Sequence, residues 1–447
     1  MSVRGTQHEL SPPQDCFTCI ELFAGCGGMA LGLHWAGWKG LFAIEKDPMA
    51  FETLAVNMIH QGASYSTYAE WPHWLETTNH DLTGLLADNE TRKRLEALQG
   101  TVDLVAGGPP CQGFSIGGRR DGADERNSLV YHMLDFIDLV RPKVALIENV
   151  EGITRRFVSK PNTFKATVAD EVAERLQAMG YAAGFRIVNA NDFGVPQSRR
   201  RVAIFAVRMD LAKKGPHISD LMDTILPRAA SSVRNKYGLP EDRDVTAREA
   251  IDDLANKKRV ICPDSPKFDS TTYKRSSSRY QKLMRRGLRT GEIPDSHRFS
   301  KHGPRITELY ELAHRTQKPG RLSKQFLLEN NTKKDKKVLI DPCDLVATIT
   351  THPDEYIHYD EPRNITVREM CRLQSIPDDF VIRGRYTING PRRKYDVARC
   401  SQVGNAVPPL MAEGLGIAVK TMLQTYHGSR EDGLDGPKAE KRGVAAA

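Results

Sequence analysis

The sequence of 447 residues has no apolar run long enough to span a bilayer, and its polar start has no hydrophobic signal core. Both absences point to a soluble, cytoplasmic protein with no membrane partner. Its eight cysteines form no paired framework, which argues against a secreted disulfide scaffold. Cys16 and Cys19 make a lone CxxC without the second pair a zinc site needs, so no metal is expected. There is no internal repeat. The dinucleotide fingerprint GxGxxG is also missing from the first glycine-rich turn, which favours a ligand without a pyrophosphate.

Charge is present in excess, and it is unevenly placed. The net charge is +8, yet residues 274–337 alone hold 18 Lys/Arg against 6 Asp/Glu. The rest of the chain is therefore slightly acidic. A concentrated basic segment on a near-neutral body is the footprint of a polyanion partner, and nucleic acid is the expectation.

Between residues 18 and 208, short apolar runs alternate with helical patterns. Strands are expected at Thr18–Phe23, Gly40–Ile44, Val102–Ala106, Val144–Ile147, Phe185–Asn189 and Val202–Val207. Helices are expected at Ala30–Ala36, Met49–His60, Leu129–Val140 and Ala166–Met179. This alternation predicts an α/β protein with a doubly wound, mostly parallel sheet, whose ligands lie at the strands' carboxyl ends. Regularity fades from about residue 210 and returns in Thr366–Leu373 and Pro409–Thr425.

Two strand ends carry the chemistry. "IELFAGCGGMALGL" joins the first strand to a helix through Gly25, Gly27 and Gly28, where the backbone can approach a ligand and helix amides can face it. The next strand ends in "AIEKD", which places Glu45 to accept the hydroxyls of an adenosine ribose. "GGPPCQGFS" sets Cys111 behind two prolines that fix φ and remove two donors. Alone, this stretch fits a buried structural cysteine as well as a nucleophile.

"FAGCGG", "GGPPCQGFS", "ENV" at Glu148–Val150, "QSRRR" at Gln197–Arg201, "TVREMCRLQSIPDDF" at Thr366–Phe380 and "QVGNAVPP" at Gln402–Pro409 follow one another in order. Together they resemble the successive motifs of the DNA (cytosine-5) methyltransferase family. The resemblance implies a Rossmann-like S-adenosylmethionine-dependent methyltransferase fold with a second, smaller DNA-recognition domain. Its divisions would be an N-terminal extension (1–17), the main catalytic part (18–209), the target-recognition domain (210–345), a hinge and return (346–427) and a disordered tail (428–447).

The implied reaction is methylation of a cytosine flipped out of a specific duplex sequence, by a bacterial or phage modification enzyme. It would act as a monomer, with a restriction endonuclease as a separate companion. Cys111 would attack cytosine C6, Glu148 would contact N3, and Arg199 and Arg201 would hold Glu148, the base and nearby phosphates. S-adenosylmethionine would lie against Phe23, Ala24, Gly25, Gly27, Gly28, Glu45, Lys46, Asp81, Leu82, Pro109, Leu129 and Asn405. Lys46 replaces the apolar residue that often covers adenine in the family. DNA contacts are expected from Gln112, Ser115, Arg119 and Arg120 in a glycine-rich lid, and from Arg285 and Arg286. A tRNA cytosine-5 methyltransferase and a catalytically inactive DNA-binding relative are the alternatives. The long basic insert speaks against the first, and the joint presence of Cys111, Glu148, Arg199 and Arg201 against the second.

Overall fold

The computed structural model describes residues 17–110, 129–155, 167–212, 215–332, 336–386 and 396–431. Its centre is a six-stranded sheet of β1 (Thr18–Leu22), β2 (Lys39–Ile44), β3 (Leu104–Gly107), β4 (Val144–Val150), β5 (Tyr181–Asn189) and β7 (Arg200–Arg208), in the order β2-β1-β3-β4-β7-β5. Pairing is parallel from β2 through β4, whereas β7 runs antiparallel to both β4 and β5. This reversal brings the start of β7 to the edge where β1 to β4 end, with Arg201 opposite Val150.

Both faces of the sheet are covered, which explains the unbroken apolar runs. Side chains alternate between faces along each strand. Val144 and Leu146 join one apolar cluster, and Ala145 and Ile147 join the other. Helices α3 (Leu82–Ala87), α4 (Asn89–Glu96), α5 (Leu129–Val140) and α6 (Val168–Ala178) cover the second face. The first is covered by α1 (Gly28–Trp35), α2 (Pro48–Met58), α8 (Ile218–Tyr237) and α15 (Pro409–Glu431), with α7 (Met209–Ala212) beside them. Helix α2 starts where it does because Asp47 accepts from the amides of Met49 and Ala50 at 2.9 and 2.8 Å, with Pro48 in the first helical turn.

The C-terminal segment completes this core. A Cβ on Gly32 would stand 2.4 Å from both Ala412 Cβ and the Pro409 carbonyl oxygen, and one on Gly28 would stand 2.4 Å from the Val407 oxygen. Glycines on α1 thus allow α15 and the chain before it to lie directly on the first helix. The main core is therefore built from segments far apart in sequence.

Residues 210–345 do not pack as one unit. Helix α8 lays Met222, Ile225, Ala229 and Val233 into the main core, and α9 (Ala247–Ile251) and α10 (Arg279–Arg285) pack there with α13 (Val367–Leu373). The β8 (Arg259–Ile261) and β9 (Asp269–Thr271) hairpin lies between. A separate small core forms only from α11 (Pro304–Thr316), β10 (Gly320–Arg321), α12 (Lys324–Glu329), β11 (Val338–Leu339) and β13 (Tyr356–Ile357). Composition changes at 210, but the apolar stripe of α8 keeps the following residues on the sheet. Among the described residues no helix is long and apolar enough to cross a membrane.

Candidate active site

The turn after β1 is bent by positive φ at Phe23 (56°), Gly25 (56°) and Gly27 (94°). Ala24 N donates to Ile44 O at 3.0 Å, fastening the turn to the end of β2. Nothing lies within 4 Å of where a Cβ on Gly25 would be, so the turn faces open space. The Glu45 carboxylate accepts from Gly25 N at 2.8 Å and from Asp47 N at 2.7 Å. Burial raises its proton affinity and these two amides oppose that. Two acceptor positions of the carboxylate remain for other donors.

The stretch Asn79–Leu82 lies alongside. His80 N donates to Glu45 O at 2.7 Å, Asn79 Nδ2 to Lys46 O at 2.9 Å, and Lys46 Nζ to Asp81 Oδ2 at 2.6 Å. Asp81 also caps α3 through Thr83. The side chain of Leu82 is buried in the apolar cluster with Phe42 and Ile44. Glu45, Lys46, Asp81 and the glycine turn therefore converge. Leu129 opens α5, half-buried. Asn405 ends α14 (Arg399–Asn405) and is exposed one residue before Ala406, which meets α1 at Gly28.

At the neighbouring strand ends, a Cβ on Gly108 would stand 3.1 Å from Glu148 Oε2, and Asn149 Nδ2 donates to Pro109 O at 3.1 Å. The Pro-Pro turn therefore leaves β3 directly beside Glu148. Asn149 is a positioning residue that a reading centred on Glu148 passes over, although it stands in the same "ENV". Glu148 is only 7% exposed, and Arg201 Nε lies 3.0 Å from its Oε1. This is an ion contact without hydrogen-bond alignment, and Glu148 Oε1 has no hydrogen-bond partner among the described residues. Burial lowers the proton affinity of Arg201, and Glu148 opposes that in part. A buried carboxylate held by one arginine, with an oxygen left for a donor, is suited to meet a polar ring edge.

Arg199 behaves differently from the shared role expected with Arg201. It falls between β6 (Gln197–Ser198) and β7, and its guanidinium turns to the C-terminal return. Nη1 donates to Ile349 O, and Nη2 to Gly404 O and Ala406 O, each at 3.1 Å. Arg199 makes no hydrogen bond to Glu148; it clasps the strand β12 (Val346–Ala347) region and the chain around Asn405 against the sheet. Two-residue spacing places side chains on one face only within a continuous strand, and β6 and β7 are interrupted at this residue. Gln197 joins the same tie, donating to Leu373 O at 2.8 Å and accepting from Ile349 N at 2.9 Å. Arg199→Met should take the side-chain donor from the Ile349 carbonyl and leave those of Gly404 and Ala406 only the long contacts of Gln374 Nε2, lowering stability by about 2–3 kcal/mol. Urea unfolding would measure it, and an unchanged midpoint would refute the clasp.

Arg285 is not a DNA contact. It is 5% exposed, donates to Leu288 O, Lys274 O and Ser276 Oγ, and lies over the Tyr273 ring. The Leu288 carbonyl, in the turn that ends α10, and the Lys274 carbonyl, before the helix begins, both meet this guanidinium. Arg286 is exposed, but its guanidinium sits 4.6 Å from the Trp35 ring, at the end of α1 remote from the strand-end edge. Cys111, Gln112, Ser115, Arg119 and Arg120 lie outside the described residues, as do Cys16 and the tail from 432.

A family model described as "C-5 cytosine-specific DNA methylase" matches residues 17–421. The type II methyltransferase M.DdeI of Desulfomicrobium norvegicum is 31% identical over 401 residues, which is 89% of this chain and 86% of that protein. The type II methyltransferase M1.HphI of Haemophilus parahaemolyticus is 29% identical over 412 residues, 91% of this chain and 87% of that protein. A crystal structure of a DNA modification methyltransferase encoded within an E. coli prophage is similar in fold. Its TM-score is 0.59 at 22% identity, over 91% of this chain and 99% of that one.

Proposed function

Since this chain belongs to the C-5 cytosine-specific DNA methylase family, we propose that Cys111 is the thiolate that adds to C6 of the target cytosine and that Glu148 steadies N3 as it does so. The enzyme is a DNA (cytosine-5) methyltransferase, and the family's dependence on S-adenosylmethionine is general. The observation that carries the assignment of residues is the packing of Gly108 and Pro109 against Glu148 and Asn149. Cys111 follows Pro110 by one peptide bond in the sequence.

C5 of cytosine is a poor nucleophile, and addition of a thiolate at C6 makes it enamine-like. Glu148 faces the ring edge and accepts or donates at N3, while Arg201 holds the carboxylate in place. C5 then takes the methyl group, loses its proton, and the C6–S bond breaks to return the thiol. S-adenosylmethionine, when bound, supplies an electrophilic methyl on a sulfonium.

The residues present fit this cofactor. The open side of Gly25 leaves room for the methionine part, and the spare acceptor positions of Glu45 suit two ribose hydroxyls. Asp81, with Lys46 beside it, would offer an acceptor to an adenine amino group. Glu45→Gln keeps the shape and loses acceptor strength, and Glu45→Ala loses both hydroxyl contacts. Affinity for S-adenosylmethionine should fall roughly 30- to 100-fold in the alanine variant, about 2–3 kcal/mol, and less in the glutamine variant. Equal affinities by calorimetry would remove Glu45 from the site.

We further propose that the small core around α11 and α12 contributes to target recognition. The enzyme would act as a cytoplasmic monomer, protecting sites from a companion endonuclease, as the name "type II methyltransferase" of its relatives suggests. Bisulfite sequencing of DNA from cells expressing the protein tests the whole reading. One cytosine in a defined sequence should be methylated throughout. Unmethylated DNA beside methylated tRNA would replace duplex DNA by RNA as the substrate.

A further inference from the structure

A group of cations lies outside both the catalytic pocket and the small core. The guanidinium of Arg298 is 4.2 Å from the Phe268 ring and 4.0 Å from the Tyr386 ring, and Lys301 Nζ is 5.5 Å from Phe268. Tyr386 closes the run Arg383-Gly384-Arg385, whose two arginines are exposed. Nearby carboxylates are already engaged. Asp264 pairs with Arg399 at 2.6 Å and accepts from Tyr386 Oη, and Asp295 pairs with Arg368 at 2.9 Å. Asp269 on the β8–β9 hairpin is exposed, and it leaves the group clearly positive.

The position of this group follows from its backbone ties. Val381 N donates to Asn57 Oδ1 at 2.8 Å, Arg383 N to Thr53 Oγ1 at 2.9 Å, and Gly384 packs on Met49. Val397 N then donates to Asp47 Oδ2 at 3.1 Å. Residues 381–384 therefore run along α2 from near its end towards its start, and Val397 meets the start itself, at the rim of the sheet beside Glu45 and the end of β2. The small core attaches near the other end, where β12 pairs with β6. Glu148 and the Pro-Pro turn stand between the two, on β4 and β3.

We propose that Arg298, Lys301, Arg383 and Arg385 form a second DNA-contacting surface, which grips the phosphate backbone of duplex flanking the target on the side of β2. This rests on the reading of the enzyme as a DNA methyltransferase. Stacking on two rings holds the Arg298 fork in place before DNA arrives, so little side-chain freedom is lost on binding. Cations on phosphates position a duplex without reading its sequence. Its role is to anchor the duplex across the catalytic edge while one base leaves the stack.

The test uses the full chain carrying Lys301→Gln with Arg385→Gln, and separately Arg298→Gln. Binding is titrated with salt on one duplex that contains the methylated sequence and one that does not. The log–log salt slope of the double variant should fall by about 2, at about 0.9 for each phosphate no longer neutralised, equally for both duplexes. KM for DNA should rise with kcat unchanged, and the methylated sequence should stay the same. Affinity for S-adenosylmethionine should be unaltered, which reports an intact fold. An unchanged slope in variants that bind cofactor normally would overturn the proposal. So would a loss confined to one sequence, or one seen on single-stranded RNA and absent on duplex. A wild type that methylates no duplex would instead overturn the underlying reading, and the salt slope would not be needed to see it.

Discussion

Cys111→Ser is expected to lower methyl transfer by at least about 10³–10⁴-fold while leaving S-adenosylmethionine binding close to that of the wild type. The reason lies in the attacking atom. A serine hydroxyl is scarcely ionised near neutral pH, whereas a thiol is a few per cent thiolate and intrinsically more nucleophilic. Cofactor binding draws on the turn after β1, Glu45 and the Asn79–Leu82 stretch, none of which needs the thiol. A duplex with 5-fluorocytosine at the target should become covalently attached to the wild type, because fluorine cannot leave as a proton does. Efficient turnover by the serine variant, or attachment that survives the substitution, would give the attack to another group.

Glu148→Gln is expected to reduce kcat by roughly 10²–10⁴-fold, the range for removing a positioned acid or base. The carboxamide fills the same space beside Gly108, so the turn leading to Cys111 should keep its place. It loses the ion pairing with Arg201 and the full charge that steadies N3. Cofactor affinity should be preserved, and formation of the trapped 5-fluorocytosine adduct should slow in proportion to kcat. A variant that forms the adduct at the wild-type rate would place Glu148 after the addition step. A variant with weakened cofactor affinity would show that its role is to hold the edge of the sheet together.

Several site residues were legible before any coordinates because local chemistry names them. Positive φ is needed at Gly25 and Gly27, and the chain has glycine there; an acidic residue at the end of β2 has few other uses. The Pro-Pro turn and "ENV" both close apolar runs, and both lie at one edge of one sheet. Arg199 and Arg285 were less legible. Each looks like its neighbours in sequence, and each has its charge taken up by carbonyls from segments far along the chain or from the next turn.

The order of residues was enough to predict a doubly wound α/β sheet, because apolar periodicity and turn chemistry act over a few residues, and the resemblance of its successive motifs to a known family supplied the methyltransferase expectation. That β7 runs against its neighbours and delivers Arg201 to Glu148 emerged only from the packed chain, since strand direction is set by how segments pack and leaves no mark in a strand's composition. Packing also settled which of the many arginines remain available to a polyanion. Charge is visible in a sequence, but whether a carbonyl or carboxylate already meets it depends on residues tens to hundreds of positions away.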